Sequence, residues 1–188
     1  MDPIEMCQRT LEGAERMVAS LRPEDLEKPT PCSEWNVRQL LDHMIGVNWR
    51  FAAVASGQAQ AGAPAPGASP SGADPAANYA ASARAALAGW RTPGALERTL
   101  NLPFGEMPSA QAIGFNIGDQ LMHTWDLAKA TGRDRTLDPE VCAAVLERAR
   151  QTLTPEMRAQ TTAFGPEQPC PPDAPIHDRL AAFLGRQV

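Results

Sequence analysis

Residues 108–132, PSAQAIGFNIGDQLMHTWDLAKATG, decide the fold. Between Ala110 and Ala128 the pattern is helical and holds only two formal charges, Asp119 and Asp126, with His123 between them. At roughly 100° per residue these three share a face, each about one turn from the next. Ile113, Ile117, Leu121 and Ala128 make the other side apolar, and Phe115 and Met122 lie among the polar three, so burial on most sides is expected. Buried carboxylates need partners. An acid and an imidazole at i, i+4 can be two arms of a divalent-metal site between facing helices. The pair equally suits a core histidine hydrogen-bonded to an aspartate, and on this helix alone that plainer reading ranks first. Ser109 is the expected cap of the helix and Gly132 its end. Gly114 and Gly118 each cost about 1 kcal/mol against alanine, which points to close helix approach there.

Toward the N-terminus, Asp2, Pro3 and Glu5 form a helix start, and Ile4, Cys7, Leu11, Ala14, Val18 and Leu21 recur at spacings of three and four. A first helix to about Leu21 follows. Pro23, Pro29 and Pro31 make residues 22–35 an irregular connection. Asn36 with Gln39 is a second capping pair, and Val37, Leu40, Leu41, Met44, Asn48 and Phe51 trace the stripe of the next helix, with His43 at its edge beside Val47 and Val54. Residues 57–73, GQAQAGAPAPGASPSGA, have no large apolar side chain and are expected to be a flexible low-complexity loop. Asp74 and Pro75 restart a helix whose stripe is Tyr79, Ala83, Ala86, Leu87 and Trp90, stopped by Pro93 and Gly94. The Phe104-Gly105 turn permits a short hairpin near 96–107.

Beyond Gly132, Asp138-Pro139 opens a helix to about Leu153, residues 166–175 are proline-rich, and Leu180, Phe183 and Leu184 mark a last short helix. Four long helices, two shorter ones and little strand favour an all-α bundle forming a single domain over residues 1–188. The net charge of −5, without a dense Lys/Arg run, argues against nucleic acid or an anionic membrane as partner. No apolar stretch reaches membrane-spanning length, and no signal-peptide pattern opens the chain. Cys7, Cys32, Cys142 and Cys170 are scattered like reduced thiols, so a cytoplasmic protein, monomer or homodimer, is expected.

Three histidines allow a metal site to be enumerated. His43, Asp119 and His123 supply two imidazoles and one carboxylate and leave a position open, as catalytic zinc sites do, and the same set can hold Fe(II). Asp126 is a candidate acceptor behind a ligating imidazole, or a partner for an arginine. Cys32 is a candidate soft ligand, but its proline-rich loop favours packing. His177 is expected to be exposed, and Arg50 to face solvent or the mouth of the site. The four tryptophans are read as core or pocket walls.

Thr30-Pro31-Cys32-Ser33-Glu34-Trp35-Asn36-Val37-Arg38 followed by Leu40-Leu41-Asp42-His43 resembles the second-helix signature of DinB-like proteins related to mycothiol-dependent maleylpyruvate isomerase. The likeness continues through Pro103-Phe104-Gly105-Glu106, through residues 119–128, and through Asp178-Arg179-Leu180 to Phe183-Leu184-Gly185-Arg186, as in an actinobacterial subfamily. The resemblance implies a DinB-like four-helix bundle with a divalent metal, zinc first and nickel or iron as alternatives, at one end of the bundle. It assigns His43, Asp119 and His123 as ligands, with Asp119 standing where the isomerase has the longer Glu. It also implies a thiol-dependent transferase or isomerase, with mycothiol as co-substrate and a small electrophile as substrate. A metal-dependent hydrolase and a non-catalytic metal- or ligand-binding bundle are the alternatives.

Overall fold

The computed structural model describes residues 1–33, 35–57, 69–102, 105–159 and 164–188. The elements run α1 (Pro3–Ala19), α2 (Val37–Ser56), α3 (Pro75–Trp90), β1 (Thr99–Leu102), β2 (Gly105–Pro108), α4 (Ser109–Thr131), α5 (Pro139–Thr152), α6 (Pro155–Ala159) and α7 (Ile176–Phe183). The chain is an all-α bundle with one small hairpin, in which β1 and β2 pair antiparallel from Thr99 opposite Pro108 to Leu102 opposite Gly105. Among the described residues no helix is long and apolar enough to cross a membrane.

Local signals set the helix starts. Asp2 accepts from the Glu5 N–H, Asn36 and Gln39 close a reciprocal capping box, Asp74 accepts from Ala77, and Asp138 accepts from Glu140 and Val141. The exception is α4. Ser109 does not cap it: Pro108 precedes the first turn, and the Ser109 N–H is taken by the Arg98 carbonyl at 2.8 Å as the hairpin feeds into the helix. The α6 turn was not foreseen, because five residues carry too little periodicity to register. Most of the expected loop at 57–73 lies outside the described residues, but its end is tied down. Asp42 accepts the Ser71 N–H at 2.7 Å and the Ser69 hydroxyl at 2.8 Å, next to the site-bearing turn of α2.

α4 is the spine. It packs on α1 and α2, while α2 and α3 pack along each other and α1 also meets α3. From Gln120 to Ala128 every residue of α4 is buried, which explains why its amphipathic contrast is weak. Leu40, Leu41, Met44 and Ile45 of α2, Tyr79 and Trp90 of α3, and Ile113, Leu127 and Trp125 of α4 form the centre of the core. A chain of buried polar side chains inside it is paired, whereas the buried Ser109 hydroxyl has no partner among the described residues. Trp90 Nε1–H donates to Asn116 (3.0 Å), Asn116 to Asn48 (3.4 Å), Asn48 to Ser82 (3.2 Å), and the Tyr79 hydroxyl to Gln120 (2.7 Å). α7 docks on α4 through Trp125, whose indole N–H donates to Asp178 at 2.8 Å, while Lys129 and Arg135 lie over its ring.

The close helix approach expected at the α4 glycines takes the form of a side chain at Gly114, whereas Gly89 of α3 is seated on the backbone of α2. A Cβ on Gly114 would come within 2.6 Å of the Arg148 guanidinium, the far end of a flexible side chain of α5, and one on Gly118 makes ordinary contact with Val145. At Gly89 of α3, a Cβ would lie 2.9 Å from the Ala52 carbonyl oxygen of α2, a backbone atom that cannot step aside. Gly89→Ala is therefore expected to destabilise the protein by about 1–3 kcal/mol through forced separation of α2 and α3. Gly46→Ala, where nothing lies within 4 Å of the added carbon, should be stabilising by roughly 0.5–1 kcal/mol. Urea unfolding of the two variants checks the contrast, and equal effects would contradict it.

Candidate metal centre

Two helices and one loop meet at the site. α2 supplies His43 from its second turn, and α4 supplies Asp119, His123 and Asp126 from its buried middle. The loop before α2 supplies Cys32 and Trp35. That loop is held by an Oγ–backbone turn: Thr30 Oγ1 donates to the Trp35 carbonyl (2.7 Å) and accepts from the Cys32 N–H (3.2 Å), and the Pro29–Asn36 bridge closes its base.

The three sequence-derived candidates come together. Nε2 of His43 lies 2.8 Å from Asp119 Oδ1, and Nε2 of His123 lies 3.6 Å from the same oxygen. One donor atom from each residue falls within 4.8 Å of the other two. The rings meet edge-on with centroids 4.9 Å apart. In a tetrahedral zinc site with bonds of about 2.0–2.1 Å, ligand atoms stand about 3.3 Å apart, so the observed spacings bracket what a divalent ion requires. The donor set, two borderline nitrogens and one hard oxygen, also fits. Among the described residues no lysine or arginine pairs with Asp119, so its negative charge is met only by the two imidazoles.

Neighbours fix how each ligand is presented. Gln120 Nε2 donates to Asp119 Oδ2 at 3.2 Å and to the Met44 carbonyl at 3.0 Å, while Gln120 Oε1 accepts from Tyr79. Asp119 therefore offers its other oxygen, Oδ1, to the two rings. His123 is oriented from behind: Nδ1 lies 2.9 Å from Asp126 Oδ2, which leaves Nε2 facing Asp119 and His43. Trp35 lies against His43, with centroids 4.6 Å apart, and walls the site. Side-chain exposure falls from His43 (29 %) through Asp119 (23 %) and His123 (11 %) to Asp126 (0 %). The His43 side is thus the open side, and Asp126 forms the closed back.

Cys32 belongs to that back. Its Sγ lies 3.3 Å from Asp126 Oδ2 and 3.8 Å from His123 Nδ1, so it faces the nitrogen turned away from Asp119. The packing role expected for its loop thus includes a polar contact at the site, which spacing along the chain could not reveal. Arg186, after α7, also reaches this back: Nη2 is 3.1 Å from Asp126 Oδ2 and Nε is 3.3 Å from Oδ1. The sequence signal for Arg186 lay in the Phe183–Arg186 segment, but no role had been attached to it. Arg50 is exposed. His177 corrects its expectation: its side chain is only 12 % exposed and lies 3.9 Å from Asp178 on the anchored α7 helix. A separate open groove of about 730 Å³ between α1, α4 and residues 133–138 shares no residue with this cluster.

The class defined by this bundle and its converging helices is the DinB-like fold. Within it, the chain belongs to the mycothiol maleylpyruvate isomerase N-terminal domain family, whose model matches residues 7–128 and so spans His43, Asp119, His123 and Asp126. The chain is also similar to two uncharacterized proteins of Mycobacterium tuberculosis, MT0763 of strain CDC 1551 / Oshkosh and Rv0738 of strain ATCC 25618 / H37Rv. Each is 39 % identical over 188 residues, with both chains fully covered. No solved structure matches the chain.

Electrostatics follow from the pairing. Burial works against a charged His123, but the Asp119 charge and the hydrogen bonds with Asp126 and Cys32 outweigh it, and the ring is pushed up to about 10. Burial likewise opposes ionised Asp119 and Asp126, yet the imidazoles, with Arg186 at Asp126, hold both below the ordinary carboxylate range. A raised histidine stabilises the fold fully below its unfolded value near 6.5 and loses that contribution as pH rises toward 10. Depressed carboxylates contribute above about 3.8 and lose it as pH falls. Metal-free protein should accordingly melt highest between about pH 4 and 6.5 and lose stability on the alkaline side. Added zinc should show the opposite slope, its stabilising increment growing with pH because the proton on Nε2 must leave. Thermal melts across that range, with and without zinc, test both signs, and a pH-independent zinc increment would contradict the assignment.

Proposed function

We propose that this chain is a divalent-metal-dependent thiol S-transferase or isomerase that activates a low-molecular-weight thiol of the mycothiol type toward a small electrophile. The reading rests on one observation: donor atoms of His43, Asp119 and His123, from two helices, converge within 4.8 Å on a side that is open to solvent. Family membership supports the thiol and the metal. We take zinc as the first candidate, with nickel or iron as alternatives, on the nature of the donors. A divalent cation held there stabilises thiolate over thiol and so supplies a nucleophile at neutral pH.

The chain's own residues do the rest. When the ring gives up a proton to a cation, Asp126 retains the one on His123 Nδ1, so that the lone pair falls on Nε2, turned toward His43 and Asp119. Gln120 occupies one oxygen of Asp119, which leaves the other, Oδ1, as the donor that faces the two rings. Trp35 covers His43 on one flank, with ring centroids 4.6 Å apart. The four free cysteines suit a reducing cytoplasm, where such thiols are abundant, and we place the activity there.

Thiol consumption by metal-loaded protein, measured against a panel of small electrophiles, is the direct test. Turnover should need both thiol and metal, and His43→Ala should lower it by on the order of 100-fold or more while the fold persists. No turnover by the parent, or a His43→Ala variant equal to it, would reject the reading. Turnover without thiol would move the chain to the hydrolases.

A further inference from the structure

The position of Asp119 is set from a third helix. Tyr79 of α3 and Gln120 of α4 are fully buried, and the Tyr79 hydroxyl donates to Gln120 Oε1 at 2.7 Å. At the other end of the amide, Gln120 Nε2 directs its two hydrogens to the Met44 carbonyl of α2 (3.0 Å) and to Asp119 Oδ2 (3.2 Å). This orientation of the amide is forced. Turned over, Gln120 would place its carbonyl oxygen against the Met44 carbonyl and the Asp119 carboxylate, three acceptors with no proton among them, and such a group is costly in a buried core. Tyr79 supplies the donor that the oxygen end needs, so the phenol braces the amide from the side away from Asp119.

The consequence lies at the carboxylate. An unrestrained aspartate can offer a cation one oxygen or both. With Oδ2 held by Gln120, it is Oδ1 that faces the two rings, 2.8 Å from His43 Nε2 and 3.6 Å from His123 Nε2. One oxygen with two imidazole nitrogens, plus one open position, is a four-coordinate set of the kind zinc adopts. Ions of octahedral preference, manganese among them, favour sets richer in oxygen. A second oxygen from Asp119 would move the site toward them.

We propose that Gln120, braced by Tyr79, is a specificity-determining residue of the metal centre: it restricts Asp119 to one oxygen and so selects a four-coordinate ion over an oxygen-seeking one. Both residues act through Asp119 and neither belongs to the donor set. The selection rests on the metal reading given above and adds to it the coordination mode of one ligand.

Affinities for zinc(II), from competition with a chromophoric chelator, and for manganese(II), from the electron paramagnetic resonance of the free ion, test the selection. Gln120→Leu removes the amide and keeps most of the volume, and Tyr79→Phe removes a single oxygen. The zinc-to-manganese affinity ratio should fall about 10–100-fold in Gln120→Leu and about 2–10-fold in Tyr79→Phe, the worth of one hydrogen bond. In the Gln120→Leu background, Tyr79→Phe should leave the ratio where it is, because the hydroxyl acts through the amide. Visible absorption of the cobalt(II)-loaded protein, intense for four-coordinate and weak for six-coordinate ions, should drop per cobalt in Gln120→Leu. A role in packing alone would weaken both ions alike. An unchanged ratio in variants that keep the parental helical circular dichroism therefore overturns the selection, as does parental cobalt absorption or a further fall in the double variant. If Gln120→Leu does not fold, the ratio in Tyr79→Phe decides. A parent that takes up neither ion defeats the metal reading and the selection with it, whereas a parent that binds zinc while the variants keep its ratio defeats the selection alone.

Discussion

An imidazole between two carboxylates must be told which nitrogen to protonate, and the structure around His123 is organised by that constraint. Asp126 stands 2.9 Å behind Nδ1, and Asp119 stands 3.6 Å in front of Nε2. Their environments differ. Asp126 is sealed and holds an arginine, while Asp119 is partly open and shares its inward oxygen with a second imidazole. Once the ring loses one of its two protons, this asymmetry keeps the other at the back and leaves the lone pair in front, which is the arrangement a ligating histidine requires.

The fold supplies each side of the asymmetry from a different element. In front, the chain from Tyr79 of α3 through Gln120 to Asp119 links the buried polar network of the core to one carboxylate oxygen, so the orientation of Asp119 is set by packing beneath it. Behind, the segment after α7 is carried to Asp126 by the docking of Asp178 on Trp125 and by the close backbone approach of Gly185 to Gly165. α4 passes through the middle and is buried on all sides for nine consecutive residues. Charges on such a helix are tolerated because each has a partner, and the partners lie up to 76 and 60 residues away in sequence.

That separation explains what could be read in advance. His43, Asp119 and His123 were legible because two share a helical face and the third sits at the edge of another amphipathic helix. The caps at Asp2, Asn36, Asp74 and Asp138 were legible because their hydrogen bonds span three residues or fewer. Ser109 misled because the hairpin, which claims its N–H, is a tertiary event. Gly89 carried no such signal and Gly118 shows only ordinary contact, since close approach depends on the helix opposite. Cys32 and Arg186 carry no periodic signal at all; only the closing of the loop before α2 and of the segment after α7 onto Asp126 gives them a role.

The central claim is that a divalent ion sits on the nitrogen and oxygen side of His123 and not on its sulfur side. X-ray absorption at the zinc edge of the loaded protein measures this directly. The account predicts one ion per chain, with two imidazole nitrogens and a carboxylate oxygen at about 2.0–2.2 Å and no sulfur neighbour. A sulfur scatterer at about 2.3 Å would place the ion at Cys32 instead, and would contradict the account.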